Sequence, residues 1–125
     1  GVQVGSRFVA SEEASSHDAF KQLVVDAGDG ATRLTLKELA PVRLLKNKFF
    51  EDIQALYAKG PTKAELQELL GRARAKRGMF EGDLEEGELE IGQVACLIHE
   101  IKPAAAIVKE IVADFEKVKK EVASY

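Results

Sequence analysis

The residues best placed to do chemistry stand at the start of the chain, in Gly1-Val2-Gln3-Val4-Gly5-Ser6-Arg7-Phe8-Val9-Ala10. Val2 and Val4 alternate as β-branched residues do in a strand, and Gly5-Ser6 follows with two backbone N–H groups that no bulky Cβ obstructs. Neighbouring free amides make a concavity that favours an anion of phosphate size, and Ser6 adds a hydroxyl. The same wording also fits an ordinary turn, so spacing alone leaves both readings open. Other chemistry-bearing residues point away from catalysis. His17 and His99 lie far apart with no ligand pattern near either, and read as a neighbour of a helix cap and a solvent-facing side chain. Cys96, between Ala95 and Leu97, reads as a buried, inert thiol. The carboxylates of Glu85-Glu86 and of Glu88 and Glu90 read as a solvated loop with no apolar setting to raise a pKa. An EF-hand is excluded because counting from Asp83 puts Glu88 where the sharp-turn glycine must stand. There is no nucleophile elbow, Walker loop or zinc pattern, so neither a catalytic residue nor a metal is assigned to this chain.

The elements that must position the opening turn are mostly helical. Ser15 or Ser16 caps a helix carrying Phe20, Leu23 and Val24, which stops at the Gly28-Asp29-Gly30 turn. Residues 32–36 alternate and are β-rich, which predicts a short strand or extended segment. A second helix begins near Pro41 or after Asn47, with Phe49, Phe50, Ile53, Leu56 and Tyr57 at helical spacing, and ends at Gly60-Pro61. Thr62-Lys63-Ala64-Glu65 has the spacing of a capping box, and the third helix runs to about Arg77, where Gly78 ends it. Residues 81–92 hold glycines and acids and predict a loop with no packed element of its own. A short helix over 93–100 follows. Pro103 then opens a terminal helix with Ile107, Ile111, Phe115, Val118 and Val122 in one stripe, and with Glu116 and Lys120 as a surface pair. The one confident strand, residues 2–4, has no partner within the chain, so its backbone points outward to a missing sheet.

Composition sets broader bounds. A chain of 125 residues with 46% hydrophobic and 31% charged residues has the balance of one modest soluble domain. Its longest apolar runs, such as residues 94–98, fall far short of the roughly 20 residues that cross a bilayer, and no secretory signal opens the chain. The single cysteine cannot form an internal disulfide, and cytoplasm is the expected compartment. A net charge of −3 gives no general attraction to nucleic acid. The basic stretch of Arg72, Arg74, Lys76 and Arg77 suits phosphate or, more simply, a solvated helix end whose cations complement the helix dipole.

Three blocks of sequence carry a family resemblance. Gln3-Val4-Gly5-Ser6-Arg7-Phe8, followed by Ser11-Glu12-Glu13 and His17, closely resembles the last barrel strand of the FMN-dependent nitronate monooxygenases (2-nitropropane dioxygenases) and enoyl-acyl-carrier-protein reductases II. Pro41-Val42-Arg43 with Lys46-Asn47-Lys48-Phe49 is similar to the segment that follows the phosphate strand in these enzymes. Gly78-Met79-Phe80-Glu81-Gly82-Asp83 and Gly92-Gln93-Val94-Ala95 resemble their carboxyl-terminal signature. The resemblance implies that the backbone of Gln3, Val4, Gly5 and Ser6 holds the FMN phosphate, with Ser6 in place of the more usual threonine. It implies structural roles for Arg43 and Asn47 at the border of the active site, and a place near the flavin end of the barrel for Gly92 and Gln93.

The expected fold class is accordingly a mainly α chain that forms the carboxyl-terminal fragment of a (β/α)8 barrel. Its parts are a last strand and phosphate turn (1–10), a helical segment (11–77), a glycine-acid loop (78–92) and terminal helices (93–125). Seven strands, the preceding glycine-rich loop and the family's catalytic histidine have no counterpart here, so the chain alone is expected to be inactive. The whole enzyme would act on a small-molecule substrate. It would either oxidise alkyl nitronates with oxygen or, with NAD(P)H as co-substrate, reduce an enoyl thioester. A helical interaction module that pairs its strand with a partner's edge is the reading from a different class. Oligomeric state is left open.

Overall fold

A short apolar segment cannot satisfy its own backbone, and the computed structural model, which describes all 125 residues, leaves residues 1–5 without regular structure and exposed. The expected strand over residues 2–4 is therefore absent as a strand. Its amides and carbonyls find no ladder in this chain, and Val2 stands 84% exposed. Helix α1 (Ser6–Val9) starts directly at the expected phosphate turn.

Helix α2 (Asp18–Val25) follows, and its cap is His17 rather than Ser15 or Ser16: Ala19 N–H donates to His17 Nδ1 at 3.1 Å. Ser16 instead donates its hydroxyl to the Val9 carbonyl. Strands β1 (Thr32–Thr35) and β2 (Val42–Leu45) form a two-stranded antiparallel sheet, with Thr32 opposite Leu45. The second strand corrects the reading of a helix starting near Pro41. An X-Pro step disfavours helix before it, and Val42, Leu44 and Leu45 gain more from sheet pairing than from a helical turn. Antiparallel pairing of neighbouring segments is not the parallel pairing of a (β/α)8 barrel, so this hairpin is no strand pair of a barrel's parallel sheet but an addition to it.

Asn47 then caps α3 (Lys48–Tyr57), its Oδ1 accepting from Phe50 N–H at 2.9 Å. Thr62 caps α4 (Lys63–Leu70) in the box that its spacing predicts: Glu65 N–H donates to Thr62 Oγ1, and the Thr62 hydroxyl donates back to the Glu65 carboxylate. That helix does not continue to Arg77. It breaks at Gly71, whose φ of +65° is easy for glycine, and α5 (Arg74–Met79) starts afresh with Gly78 inside it. A 3-10 turn (Gln93–Leu97) and the long α6 (Ala104–Ala123) complete the chain. No helix is long and apolar enough to cross a membrane. On α6, Glu116 pairs with Lys119 rather than Lys120.

Apolar residues gather into two adjoining cores. One joins Phe20 and Val24 of α2 to Leu45, Leu89, Ile91, Ala95 and Ile98. The other joins Leu36 and Leu44 to Phe49 and Ile53 of α3 and Leu66 of α4. The segment expected to be a solvated loop thus contributes Leu89 and Ile91 to a core. Residues 89–91 run along β2 almost as a third strand: Leu45 N–H donates to the Leu89 carbonyl and Ile91 N–H to the Arg43 carbonyl.

Side chains supply the partners that this loop lacks in regular structure. Asn47 Nδ2 donates to the carbonyls of Leu84 and Gly87 at 2.9 and 2.8 Å. Arg74, part of the basic stretch, is no solvated helix end. Its guanidinium donates to the carbonyls of Leu69, Leu70 and Glu86, each at 2.8 Å, and lies 4.3 Å from the Phe49 ring centre. Close approach completes the fit, because a Cβ added at Gly87 would stand 2.2 Å from Gly78 Cα. Gly87→Ala is therefore expected to destabilise the chain by about 3 kcal/mol, since the obstacle is backbone and cannot rotate away. Urea unfolding followed by circular dichroism measures this, and an unchanged midpoint would contradict the packing.

Glu88 corrects the reading of these carboxylates as solvated. It is 7% exposed, and burial, with the Glu90 carboxylate as its neighbour, pushes its pKa up to about 7 against a weaker opposing pull from Arg74. A carboxyl whose pKa is higher folded than unfolded stabilises most below the unfolded value. That contribution is lost as pH rises between about 4.5 and 7. Glu88→Gln, neutral throughout, is expected to flatten the fall in unfolding free energy between pH 5 and pH 8 by on the order of 2 kcal/mol. Parallel pH-dependent unfolding of the two proteins provides the comparison, and identical slopes would place the Glu88 carboxyl in water.

Candidate functional site

The opening segment and Gly92 of the carboxyl-terminal signature, 86 positions apart, meet in space. Gly92 N–H donates to Ser6 Oγ at 2.9 Å. A hydroxyl has one proton and two acceptor positions. The bond from Gly92 uses an acceptor position, and the Ser6 proton has no partner within the chain. The amides of Gln3, Val4, Gly5 and Ser6 also make no hydrogen bond within the chain. An unused hydroxyl proton and a run of unused amides therefore stand next to one another at the amino end.

The backbone of Gly5 qualifies what its glycine is for. Its φ of −111° suits any residue, and a Cβ there would meet open space. Within these 125 residues nothing places a steric demand on this position. Gly92 is different: a Cβ there would come within 2.8 Å of Ser6 Oγ, which would push the hydroxyl off its bond.

Ser6 and Gly92 share a cleft of about 360 Å³ with Pro41, Arg43, Glu90 and Ile91. Strand β2 and the strand-like segment 89–91 carry the far wall, which explains how residues separated by up to 86 positions reach one hollow. Arg43 is held on that wall by its Nη1, which donates to Thr32 Oγ1 at 3.2 Å. Asn47 is not in the cleft. Its three hydrogen bonds cap α3 and hold the loop, so its role is structural, as the resemblance implies.

The remaining candidates stay apart from this cleft. His17 is a helix cap whose Nδ1 is occupied, packed so closely on Gly82 that a Cβ there would reach its ring. His99 is exposed. Cys96 is half-buried rather than buried, a free thiol whose Sγ lies 3.4 Å from the Gln93 carbonyl. Nowhere do three or more histidine, cysteine or acidic side chains gather in a way that would hold a metal ion. Sequence reasoning missed Glu88 and the structural duty of Arg74. Leu89 and Ile91, alternating with Glu88 and Glu90, were the signal that one face of this stretch is buried.

Comparison with known proteins matches this arrangement to a single family. A family model for nitronate monooxygenase matches residues 1–114, which include the turn, the cleft and the packed loop. Among solved structures, FabK from Thermotoga maritima is 36% identical with a TM-score of 0.86, and a methionine-to-alanine mutant of it is 34% identical with a TM-score of 0.81. Both comparisons cover 100% of this chain but only 40% and 37%, respectively, of the FabK chains. The shared fold, the match across the turn and cleft, and the level of identity together show that this chain belongs to the nitronate monooxygenase family.

Proposed function

We propose that this chain supplies the phosphate-holding side of an FMN site in an oxidoreductase that oxidises alkyl nitronates with oxygen. The observation that carries the reading is the opening segment itself, in which four unpaired amides, at Gln3, Val4, Gly5 and Ser6, accompany a Ser6 hydroxyl whose proton is free. These groups fit a phosphate: they donate without bearing charge, and Gly5 leaves the approach clear. FMN, when bound, supplies the redox chemistry. The residues of this chain grip its phosphate and orient it from one end, and Gly92 keeps the Ser6 hydroxyl in place. We assign no catalytic residue to these 125 residues. A phosphate turn alone anchors FMN at no better than about millimolar strength, some −4 kcal/mol, because the ring needs walls that this chain does not build. The compartment that best suits such an enzyme is the cytoplasm.

The similarity to FabK supports a second reading, in which the whole enzyme passes hydride from a reduced nicotinamide to an enoyl thioester. Both reactions use the same flavin grip, and purified whole enzyme offered a nitronate with oxygen, or NAD(P)H with an enoyl thioester, separates them by which substrate is consumed.

Gly5→Val tests the grip itself. A branched side chain fits the protein at this position, so the melting of this chain should change by less than about 1 kcal/mol, whereas flavin retained by the whole enzyme after gel filtration should fall sharply. Ser6→Ala should weaken retention less, by about 1 kcal/mol, because it removes one donor and leaves the amides. Equal flavin absorbance in Gly5→Val and the unaltered enzyme would remove this turn from the phosphate site.

A further inference from the structure

Arg43 is the one positive charge bordering the cleft beside Ser6, and no acid answers it. A guanidinium carries five N–H groups, and only Nη1 of Arg43 is engaged, by the hydroxyl and the carbonyl of Thr32. Its Nε and Nη2 donate to nothing within the chain, and none of the chain's ion pairs includes it. The residue is nonetheless half-buried. Arg74, by contrast, spends its guanidinium on three carbonyls. A cation drawn partly out of water without a counter-charge is unfavourable, so the free edge of Arg43 is a place for an anion.

Glu90 borders the same cleft, but the ladder turns it to the other side. Leu44 pairs with Glu90, which sets Arg43 opposite Ile91. Side chains alternate along extended segments, so Arg43 shares a face with Ile91, whereas Glu90 shares the opposite face with Glu88, whose carboxyl it neighbours. The cleft therefore offers a guanidinium to an anion and the apolar surface of Val9, Pro41 and Ile91 to carbon. Its volume of about 360 Å³ suits a small molecule.

These features select among anions. The Nε and Nη2 edge presents parallel N–H groups to two oxygens held on one planar atom. An alkyl nitronate has that form, with one negative charge shared by two oxygens and a small apolar body behind them. The neutral nitroalkane has nearly the same shape and lacks the charge.

We propose that Arg43 binds the substrate of this enzyme, gripping the two oxygens of a small alkyl anion, the nitronate, through Nε and Nη2 while Val9, Pro41 and Ile91 receive its carbons. The proposal rests on the nitronate reading above and uses none of the groups assigned there to the phosphate.

The test uses the whole enzyme and two probes of like shape: isobutyrate, a planar two-oxygen anion on a branched body like that of propane-2-nitronate, and isobutyramide, its neutral counterpart. In equilibrium dialysis the unaltered enzyme should hold isobutyrate at least about tenfold more tightly than isobutyramide, and Arg43→Gln should abolish the preference. In turnover Arg43→Gln should raise KM for propane-2-nitronate at least about tenfold while kcat changes less than about threefold. Arg43→Lys, which keeps the charge and loses the fork, should fall between the two. Both variants should retain flavin. No preference for isobutyrate in the unaltered enzyme, or a KM that Arg43→Gln leaves alone, would overturn the proposal. So would flavin lost from a folded Arg43→Gln, which would give the guanidinium to the cofactor's phosphate. Where Arg43→Gln fails to fold, Arg43→Lys decides, an unchanged KM overturning the grip. An enzyme that prefers isobutyrate through Arg43 yet consumes an enoyl thioester and no nitronate would count against the nitronate reading and leave the anion grip standing.

Discussion

The backbone of residues 84–91 belongs to neither a helix nor a named strand; Phe49 N–H and Leu45 N–H meet the carbonyls of Glu85 and Leu89, and side chains must meet those of Leu84, Glu86 and Gly87. Asn47 and Arg74 meet them. Asn47 divides its amide between the cap of α3 and the carbonyls of Leu84 and Gly87. Arg74 closes the other side against the Glu86 carbonyl while lying across Phe49 of the second core. With these bonds made, Leu89 and Ile91 turn inward and β2 gains its neighbour; without them the buried amide groups would each cost on the order of 1–3 kcal/mol. Gly78 and Gly87 let the two backbones touch, and the contact is too close for any side chain.

The candidate site inherits its geometry from that docking. Residues 89–91 lie along β2, and Gly92 immediately follows them, so the loop that Asn47 and Arg74 hold also sets where Gly92 presents its amide to Ser6. The flavin-gripping segment we propose is therefore positioned by a residue 86 positions away. A second tie acts in the same direction. Both Glu13 carboxylate oxygens accept from Ala104 N–H at the start of α6, and Glu12 N–H donates to the Lys102 carbonyl, so the segment just after α1 is fastened to the last helix. A carboxylate at a helix amino terminus is also favoured by the helix dipole.

Burial and exposure divide this molecule unevenly. Its two cores are filled around α2, β2 and α3, whereas residues 1–4 and most of α6 remain in water. The inner part holds the packed apolar residues, and the outer flank carries the sequence pattern of buried structure without the burial. This asymmetry agrees with a chain that spans 40% of the FabK chain it resembles so closely.

Local signals in the sequence determined where most of the helices lie and the caps at Asn47 and Thr62, but not the His17 cap of α2 or the break at Gly71. Thr62 and Glu65, Asn47, Pro103 and the 3.6-residue apolar spacing of α3 and α6 act within a turn or two, so they are legible one segment at a time. Three separated blocks of residues carried the family resemblance, and with it the expectation that residues 3–6 hold a phosphate. Tertiary structure decided what depends on partners distant in sequence. Residues 2–4 read as a strand by side-chain pattern, yet a strand exists only where another pairs with it. Val42, Leu44 and Leu45 became β2 through pairing with β1 and residues 89–91, against a helical alternative that the sequence left open. Glu88 lost its solvent, and with it its ordinary pKa, because Arg74 and Asn47 drew its loop inward. Ser6 met Gly92 across 86 positions for the same reason. Burial and hydrogen-bond partnership are properties of the assembled chain, whereas periodicity and capping belong to short stretches of it.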